Sequence, residues 1–379
     1  DRRAADVCAG PGVVAVADQL DPSLARVNAA SIARALRNPA ATSRPGGVGR
    51  VLVTGGAGFI GSALVWGLNA RGVHRVVIAD RLGSTDKWRN LSPLVFEDYL
   101  EADDLIPRLE DGALGAFDLV LHMGACASTT ERDATFLARN NFEFTKTLAA
   151  WALRRGTRFV YASSAATYGD GAAGMRDEVR ETADLAALRP LNAYGFSKHL
   201  FDTYAWHRGM FDRIIGLKFF NVFGPNEGHK GEMRSLVHKA FEQVRETGRV
   251  RLFKSYRADY PDGGQRRDFV YVKDVVAMTL HLATTNEAQG LYNIGAGLAH
   301  SWLELIHPLF VALKREPAID FVPMPEAMRD RYQYFTQADV GRLRATGYLA
   351  SPTPIDAAVS DYVINYLMTD KRLGDSVGR

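Results

Sequence analysis

Tyr194 and Lys198, four residues apart in "NAYGFSKHLFDTYAW", have the types and spacing that acid/base chemistry needs. In a helix this spacing puts both side chains on one face. A phenol titrates near pH 10, and a neighbouring ammonium is expected to lower that value, which makes the tyrosine usable as a general acid or base. A core tyrosine and a surface lysine that merely share a helix face would have the same spacing. A hydroxyl that shares a substrate oxygen with Tyr194 is offered by Ser163 and Ser164 in "YASSAATYG", where a turn or cap is the other role open to a serine. Lys230 lies in "FFNVFGPNEGHKGEM", which starts like a buried strand and then loses all periodicity. Taken alone, a loop lysine is solvated. If buried, its pKa falls and the neutral amine becomes accessible.

A second cluster precedes these. "RVLVTGGAGFIGSALVWGL" carries Gly55, Gly58 and Gly61 as G-x-x-G-x-x-G. Three glycines can simply mark a tight turn, but here they follow an apolar run and open a helical pattern, so the helix N-terminus can hold a pyrophosphate. Asp80 ends the next apolar run near the spacing, about 20 residues on, at which a carboxylate holds the ribose of NAD. Arg81 and Lys87 follow closely, and cations there suit the 2′-phosphate of NADP. A dinucleotide is expected, with NADP the expected form and NAD the alternative.

The elements that must position these groups are short Val/Ile-rich runs alternating with longer helical patterns. "RVLVTGG", "RVVIAD", "FDLVLHMGA", "RFVYASS" and "IIGLKFFNVFG" read as strands of a parallel sheet covered on both faces. The predicted fold class is α/β, a Rossmann-like doubly wound parallel sheet.

The 379 residues are 47% hydrophobic with a formal net charge of +3, enough to bury one large core or two modest ones. No Lys/Arg block suggests nucleic acid. Cys8 and Cys126 have no metal-ligand spacing around them, so neither a metal site nor a disulfide framework is expected. No apolar run is long enough to span a bilayer. Residues 1–49 read as a separate extension, with an amphipathic helix after Asp21 and no acidic residue between Pro22 and Asp80. That composition fits a flexible extension or an organelle-targeting segment, and the Asp1 start is compatible with further residues upstream. The expected location is otherwise cytoplasmic.

Together these residues resemble the extended short-chain dehydrogenase/reductase family, which acts on nucleotide-linked sugars. The resemblance rests on the glycine turn, the "SAATY" stretch, Tyr194 with Lys198, "RDFVYVKDV" with Arg267, Asp268 and Asp274, and "YNIGAG" with Asn293, Gly295 and Gly297. The family's 4,6-dehydratases need an Asp-Glu pair after the catalytic hydroxyl residue, where Ala165 and Ala166 stand here. Elimination is disfavoured, leaving epimerisation or plain reduction. The resemblance also implies a smaller C-terminal substrate-binding domain, with residues 50–220 forming the dinucleotide domain, segments near 268–298 returning to it, and 221–370 mainly binding substrate.

Four separate stretches, "GACASTTERD", "YASSAATYGD", "NVFGPNEGHKGEM" and "RYQYFTQADVGRLRATGY", resemble one subgroup that epimerises an ADP-linked heptose at C6 in lipopolysaccharide synthesis. The resemblance implies Tyr194 and Lys230 as the acid/base pair, Ser164 assisting and Lys198 on the cofactor. It further implies a dinucleotide site lined by Phe59, Ile60, Asp80, Arg81 and Lys87, with Met123, Gly124, Ala125, Cys126 and Ala127, and with Asn140 and Val222. Asn221, His238, Phe253, Arg267 and Tyr332 would face the ADP-sugar. A homo-oligomer is implied, with a pentamer as the expected state. Epimerisation by itself calls for two acid/bases. The ketone must turn its other face to the same nicotinamide, and a group placed for the first proton transfer is then misplaced for the second.

The chain departs from this pattern at Ala102, where a cofactor-contacting lysine is usual, and at Met123, Ala127 and Glu232. Glu232 is expected to point away from ADP phosphates or to pair with a cation. The segment "FKSYRADYPDGGQRRDF" is longer than the pattern. Two alternative readings are another nucleotide-sugar 4-epimerase or reductase, and a catalytically idle dinucleotide-binding protein.

Overall fold

The structure, a computed structural model, describes residues 48–329 and 332–376. The helix expected after Asp21 lies outside them. Seven parallel strands form the main sheet: β1 (Val51–Thr54), β2 (Val76–Asp80), β3 (Asp98–Glu101), β4 (Leu119–His122), β5 (Arg158–Ser164), β6 (Ile214–Phe219) and β10 (Gly290–Ile294). Their order is β10-β6-β5-β4-β1-β2-β3. The chain thus starts in β1, builds outward through β2 and β3, then crosses back to β4, which pairs with the other side of β1. That reversal leaves a crevice at the carboxyl ends of β1 and β4, the place where open α/β sheets bind ligands.

The strands read as continuous apolar runs because both faces are covered. Along β1, Val51 and Val53 join one buried cluster while Leu52 joins the cluster on the opposite face. The alternation repeats along β2, where Ile78 belongs to the first cluster and Val77 and Ala79 to the second. The helix Phe59–Asn69 packs on the first face, and the helices Phe144–Arg155 and Ala193–His207 on the second. Asn192 caps the last of these, its side chain accepting from the Gly195 amide at 2.8 Å, and so fixes Tyr194 in the first turn.

Beyond β6 the chain leaves the sheet. The short strand β7 (Asn221–Phe223) runs parallel to β9 (Arg266–Tyr271), which pairs antiparallel with β11 (Ala299–Ser301). The strands β8 (Val250–Phe253) and β12 (Ile319–Val322) form a separate parallel pair. Between β7 and β8 lies the loop that carries Lys230, followed by the helix Leu236–Thr247.

Candidate active site

The glycine turn is shaped for a close approach. Gly55 takes φ +67°, and a Cβ there would meet the Gly124 amide nitrogen at 2.6 Å. A Cβ on Gly61 would meet the Gly55 carbonyl oxygen at 2.0 Å, so the helix Phe59–Asn69 packs directly on the turn. Gly58 caps that helix with no side-chain acceptor, which leaves its first N–H groups available to an anion. A cavity of about 200 Å³ opens beside the turn, lined among others by Asp80, Arg81, Lys87, Ala102, Cys126 and Asn140. Cradle, helix terminus and cavity fit a dinucleotide.

The cations at this end are already engaged. Lys87 Nζ and the Arg81 amide both donate to Asp80 Oδ1 at 2.7 Å, while Oδ2 accepts from the Ala57 amide at 2.9 Å. The Arg81 guanidinium pairs with Asp103 and donates to Asn140 Oδ1 at 3.0 Å. Each cation that could meet a 2′-phosphate therefore faces an aspartate.

Further along the same edge, Ser163 and Ser164 part company. Ser163 Oγ donates to the buried Asp202 at 2.8 Å. Ser164 stays beside Tyr194, and its hydroxyl lowers the tyrosine's pKa. Burial outweighs that effect and holds the phenol above its ordinary value, with Cys126 adding to the rise. The lowering expected from the neighbouring ammonium is therefore not the outcome. Lys198 Nζ instead donates to the Ala162 carbonyl at 2.9 Å, and burial brings its own pKa down to about 8.

Lys230 is half-buried rather than solvated. Its ammonium sits 5.1 Å over the Phe59 ring, and it has no carboxylate within ion-pair distance among the described residues. Burial lowers its pKa, with Glu227 opposing. Four hydrogen bonds press this loop against the dinucleotide edge. Asn90 Nδ2 donates at 3.0 Å to both the Ala57 and the Asn226 carbonyls. Asn226, with φ +78°, donates to Ser62 Oγ at 3.0 Å. Thr129 Oγ1 reaches Met233 Sδ at 3.8 Å. Glu232 points outward, 95% exposed and 3.3 Å from Lys239, so it does not crowd an anionic substrate.

In β9, Arg267 is 6% exposed, lies 5.4 Å from the Tyr332 ring centre and 5.9 Å from that of Trp302, and among the described residues bonds only the Arg266 carbonyl, at 2.9 Å. Burial without a carboxylate partner lowers its pKa to about 10. A desolvated guanidinium of this kind is a ready partner for a phosphate. The other expected substrate residues are less free. His238 Nδ1 lies 2.9 Å from the Tyr362 hydroxyl and Nε2 3.5 Å from Glu242. Asn221 Oδ1 accepts from Thr336 at 3.4 Å, and the Phe253 carbonyl accepts from Gln265 at 3.5 Å. Ile60 and Val222 are half-buried, Met123 packs against the core, and Ala127 is exposed.

Asp268 and Asp274 are knots of the fold. Asp268 accepts from the amides of Ala296, Gly297 and Ala338, and Asp274 from Thr353. The sequence reading missed Asn141, which is 1% exposed. Its side chain bonds both main-chain groups of Cys126 and donates to Ser197 Oγ at 2.9 Å, tying the cofactor loop to the helix that carries Tyr194. The doublet Asn140–Asn141 ahead of a helical pattern was its only signal. Among the described residues no cluster of His, Cys, Asp or Glu could hold a metal ion, and no helix is long and apolar enough to cross a membrane.

Comparison with known proteins places this geometry. Residues 51–295 match the model of the NAD dependent epimerase/dehydratase family. The chain is 46% identical over 317 residues to the ADP-L-glycero-D-manno-heptose-6-epimerase of Nitratidesulfovibrio vulgaris, covering 83% of this chain and 97% of that one. Among solved structures it is similar to the Helicobacter pylori ADP-L-glycero-D-manno-heptose-6-epimerase, with TM-score 0.68, 26% identity, and 83% and 95% of the two chains covered. MoeE5, solved with UDP-glucose and NAD, is similar at TM-score 0.67 and 26% identity, over 85% of this chain and 99% of that one.

Proposed function

The chain belongs to the NAD dependent epimerase/dehydratase family, and from that premise we propose that it interconverts the C6 epimers of an ADP-linked glycero-manno-heptose. It is an epimerase, and the heptose substrate follows from the relatives' names. One observation carries the mechanism: the partly buried Lys230, without a carboxylate partner among the described residues, on a loop pinned against the glycine turn, which would add a second proton-transfer group to Tyr194.

Gly55, Gly58, Gly61 and the helix behind them would hold the dinucleotide, and hydride acceptance and return is the chemistry it supplies when bound. The chain's own residues manage the proton on the C6 oxygen. As the C6–H bond gives up its hydride, one of Tyr194 and Lys230 takes the hydroxyl proton and a ketone results. When the hydride returns to the opposite face, the other residue delivers a proton to the ketone oxygen, now turned toward it. Burial suits the direction in which Lys230 accepts the proton and Tyr194 donates one, because it keeps the Tyr194 phenol protonated and makes the Lys230 amine easier to deprotonate. Starting from the other epimer, the two exchange roles. Ser164 shares the oxygen with Tyr194, and Arg267, beside Tyr332, would take the diphosphate.

The proposed cofactor is NADP, with NAD as the alternative, since Arg81 and Lys87 lie at the ribose end while Asp80 favours free ribose hydroxyls. A cytoplasmic homo-oligomer, pentameric as in the resembling subgroup, completes the proposal. The test is to incubate the protein with ADP-heptose deuterated at C6. The label should be retained through epimerisation, with no deuterium entering C6 from heavy water. Solvent exchange at C6, or turnover of UDP-galactose in place of the heptose, would overturn this reading.

A further inference from the structure

Behind the catalytic edge lies a pair of charges that the proton chemistry leaves unused. Lys218, in β6, is 1% exposed and Asp202, on the helix Ala193–His207, is 0% exposed, with Lys218 Nζ donating to Asp202 Oδ2 at 3.0 Å. Replacing a buried pair by apolar side chains is often neutral or stabilising, so stability is a weak explanation for its presence. Its other bonds give a better one. From β5, Tyr161 OH donates to Oδ1 and Ser163 Oγ to Oδ2, each at 2.8 Å. Lys218 also donates to Thr167 Oγ1 at 2.6 Å, and the Thr167 hydroxyl donates to the Ser164 carbonyl at 2.8 Å. Between Tyr161 and Ser163 stands Ala162, whose carbonyl holds the Lys198 ammonium. Asp202 itself lies one helical turn beyond Lys198.

We propose that Asp202 and Lys218 are positioning residues: their ion pair grips the strand end from Tyr161 to Thr167 and thereby sets both the Ser164 hydroxyl and the Ala162 carbonyl that aims Lys198. The proposal rests on the reading of Ser164 as the hydroxyl that shares the reacting oxygen with Tyr194 and of Lys198 as the lysine on the cofactor. It also predicts an electrostatic effect. The titratable groups facing Lys198 are Asp202 on its own helix, Cys126 on the cofactor loop and His122 in β4, with Tyr194 one turn away. Asp202 is faced by Tyr161, Tyr168, Lys218 and His199. Of the groups around Lys198, Asp202 most strongly favours the ammonium.

The experiment compares Asp202→Asn and the double variant Asp202→Asn/Lys218→Gln with the wild type in kcat, KM, the pH profile of kcat/KM and thermal unfolding. The double variant guards against a folding failure, because it leaves no unpaired buried charge. Both should lose roughly 10- to 100-fold in kcat with KM changed less than about threefold, the size of effect that small misplacements produce. The basic limb of the profile should also move to lower pH in Asp202→Asn. A double variant with wild-type kcat and an unmoved limb overturns the proposal, as does a lowered unfolding temperature with unchanged kcat and profile. Ser164→Ala and Lys198→Met separate the two readings. If they keep full turnover, the reading of the site fails, whereas if they lose it and the double variant does not, only the positioning role fails.

Discussion

The Lys230 ammonium lies 5.1 Å over the ring of Phe59, the first residue of the helix that the glycine turn opens. A loop 171 positions later in the chain thus brings a cation to the edge where the dinucleotide would bind. In the proposed mechanism this relationship separates an epimerase from a one-way reductase, because Lys230 would supply a proton-transfer group beyond Tyr194.

Lys230→Met should therefore stop epimerisation, by roughly 10²- to 10⁴-fold, the usual contribution of a placed acid or base. Reduction of a keto or aldehyde analogue should survive, since Tyr194 can serve one face. Steady-state assays of both reactions on the same preparation check this, and normal epimerisation would exclude the two-group mechanism.

Tyr194→Phe removes one oxygen from a half-buried side chain. Circular dichroism and dinucleotide binding should be unchanged while epimerisation falls by a similar roughly 10²- to 10⁴-fold. Activity near wild type would take the phenol out of the mechanism.

The pH dependence follows from Lys198, whose pKa burial brings down from 10.5 to about 8. The ammonium is the dominant form below that value and the neutral amine above it. If the site needs the ammonium, kcat/KM, which reports the free enzyme, should decline as pH rises through about 8. A profile flat to pH 10 would mean that Lys198 does not act as a cation.

Asp103 pairs with Arg81 and would compete with the 2′-phosphate of the proposed NADP for its guanidinium. Asp103→Asn should free the guanidinium and strengthen NADPH binding by a few-fold, while NADH binding stays the same. The pair is exposed and screened, and such pairs are worth about 0 to 1 kcal/mol. Fluorescence titrations at low salt measure both constants, and equal change in the two would show that Arg81 does not read the phosphate.

Arg267→Met should raise KM for the ADP-sugar by roughly 10- to 100-fold, the equivalent of a hydrogen bond to a charged group. The effect on kcat should be smaller, because the diphosphate lies away from the reacting carbon. An unchanged KM would remove Arg267 from the substrate site.

Sequence alone carried the parts of this protein that depend on local pattern. The Gly55–Gly61 turn, Asp80 at the end of β2, and Tyr194 with Lys198 in the first turns of one helix were legible because strand, turn and helix periodicities are short-range. The Asp202–Lys218 pair had signals of this kind too, an acid one turn after Lys198 and a single charge inside the apolar run "IIGLKFF". What the fold decided concerns neighbours far apart in the chain. Ser163 and Ser164 are adjacent in sequence, yet alternation along β5 sends the first to Asp202 and leaves the second beside Tyr194. The Tyr194 phenol rises where the spacing with Lys198 suggested a fall, because burial is set by everything packed around it, and Lys198 is drawn to the Ala162 carbonyl. Whether Lys230 is a solvated loop lysine or a half-buried one over the Phe59 ring depends on Asn90 and Asn226 pinning its loop to the glycine turn. Residue type and spacing name the groups that can exchange a proton, whereas desolvation and long-range contacts set their protonation state and aim.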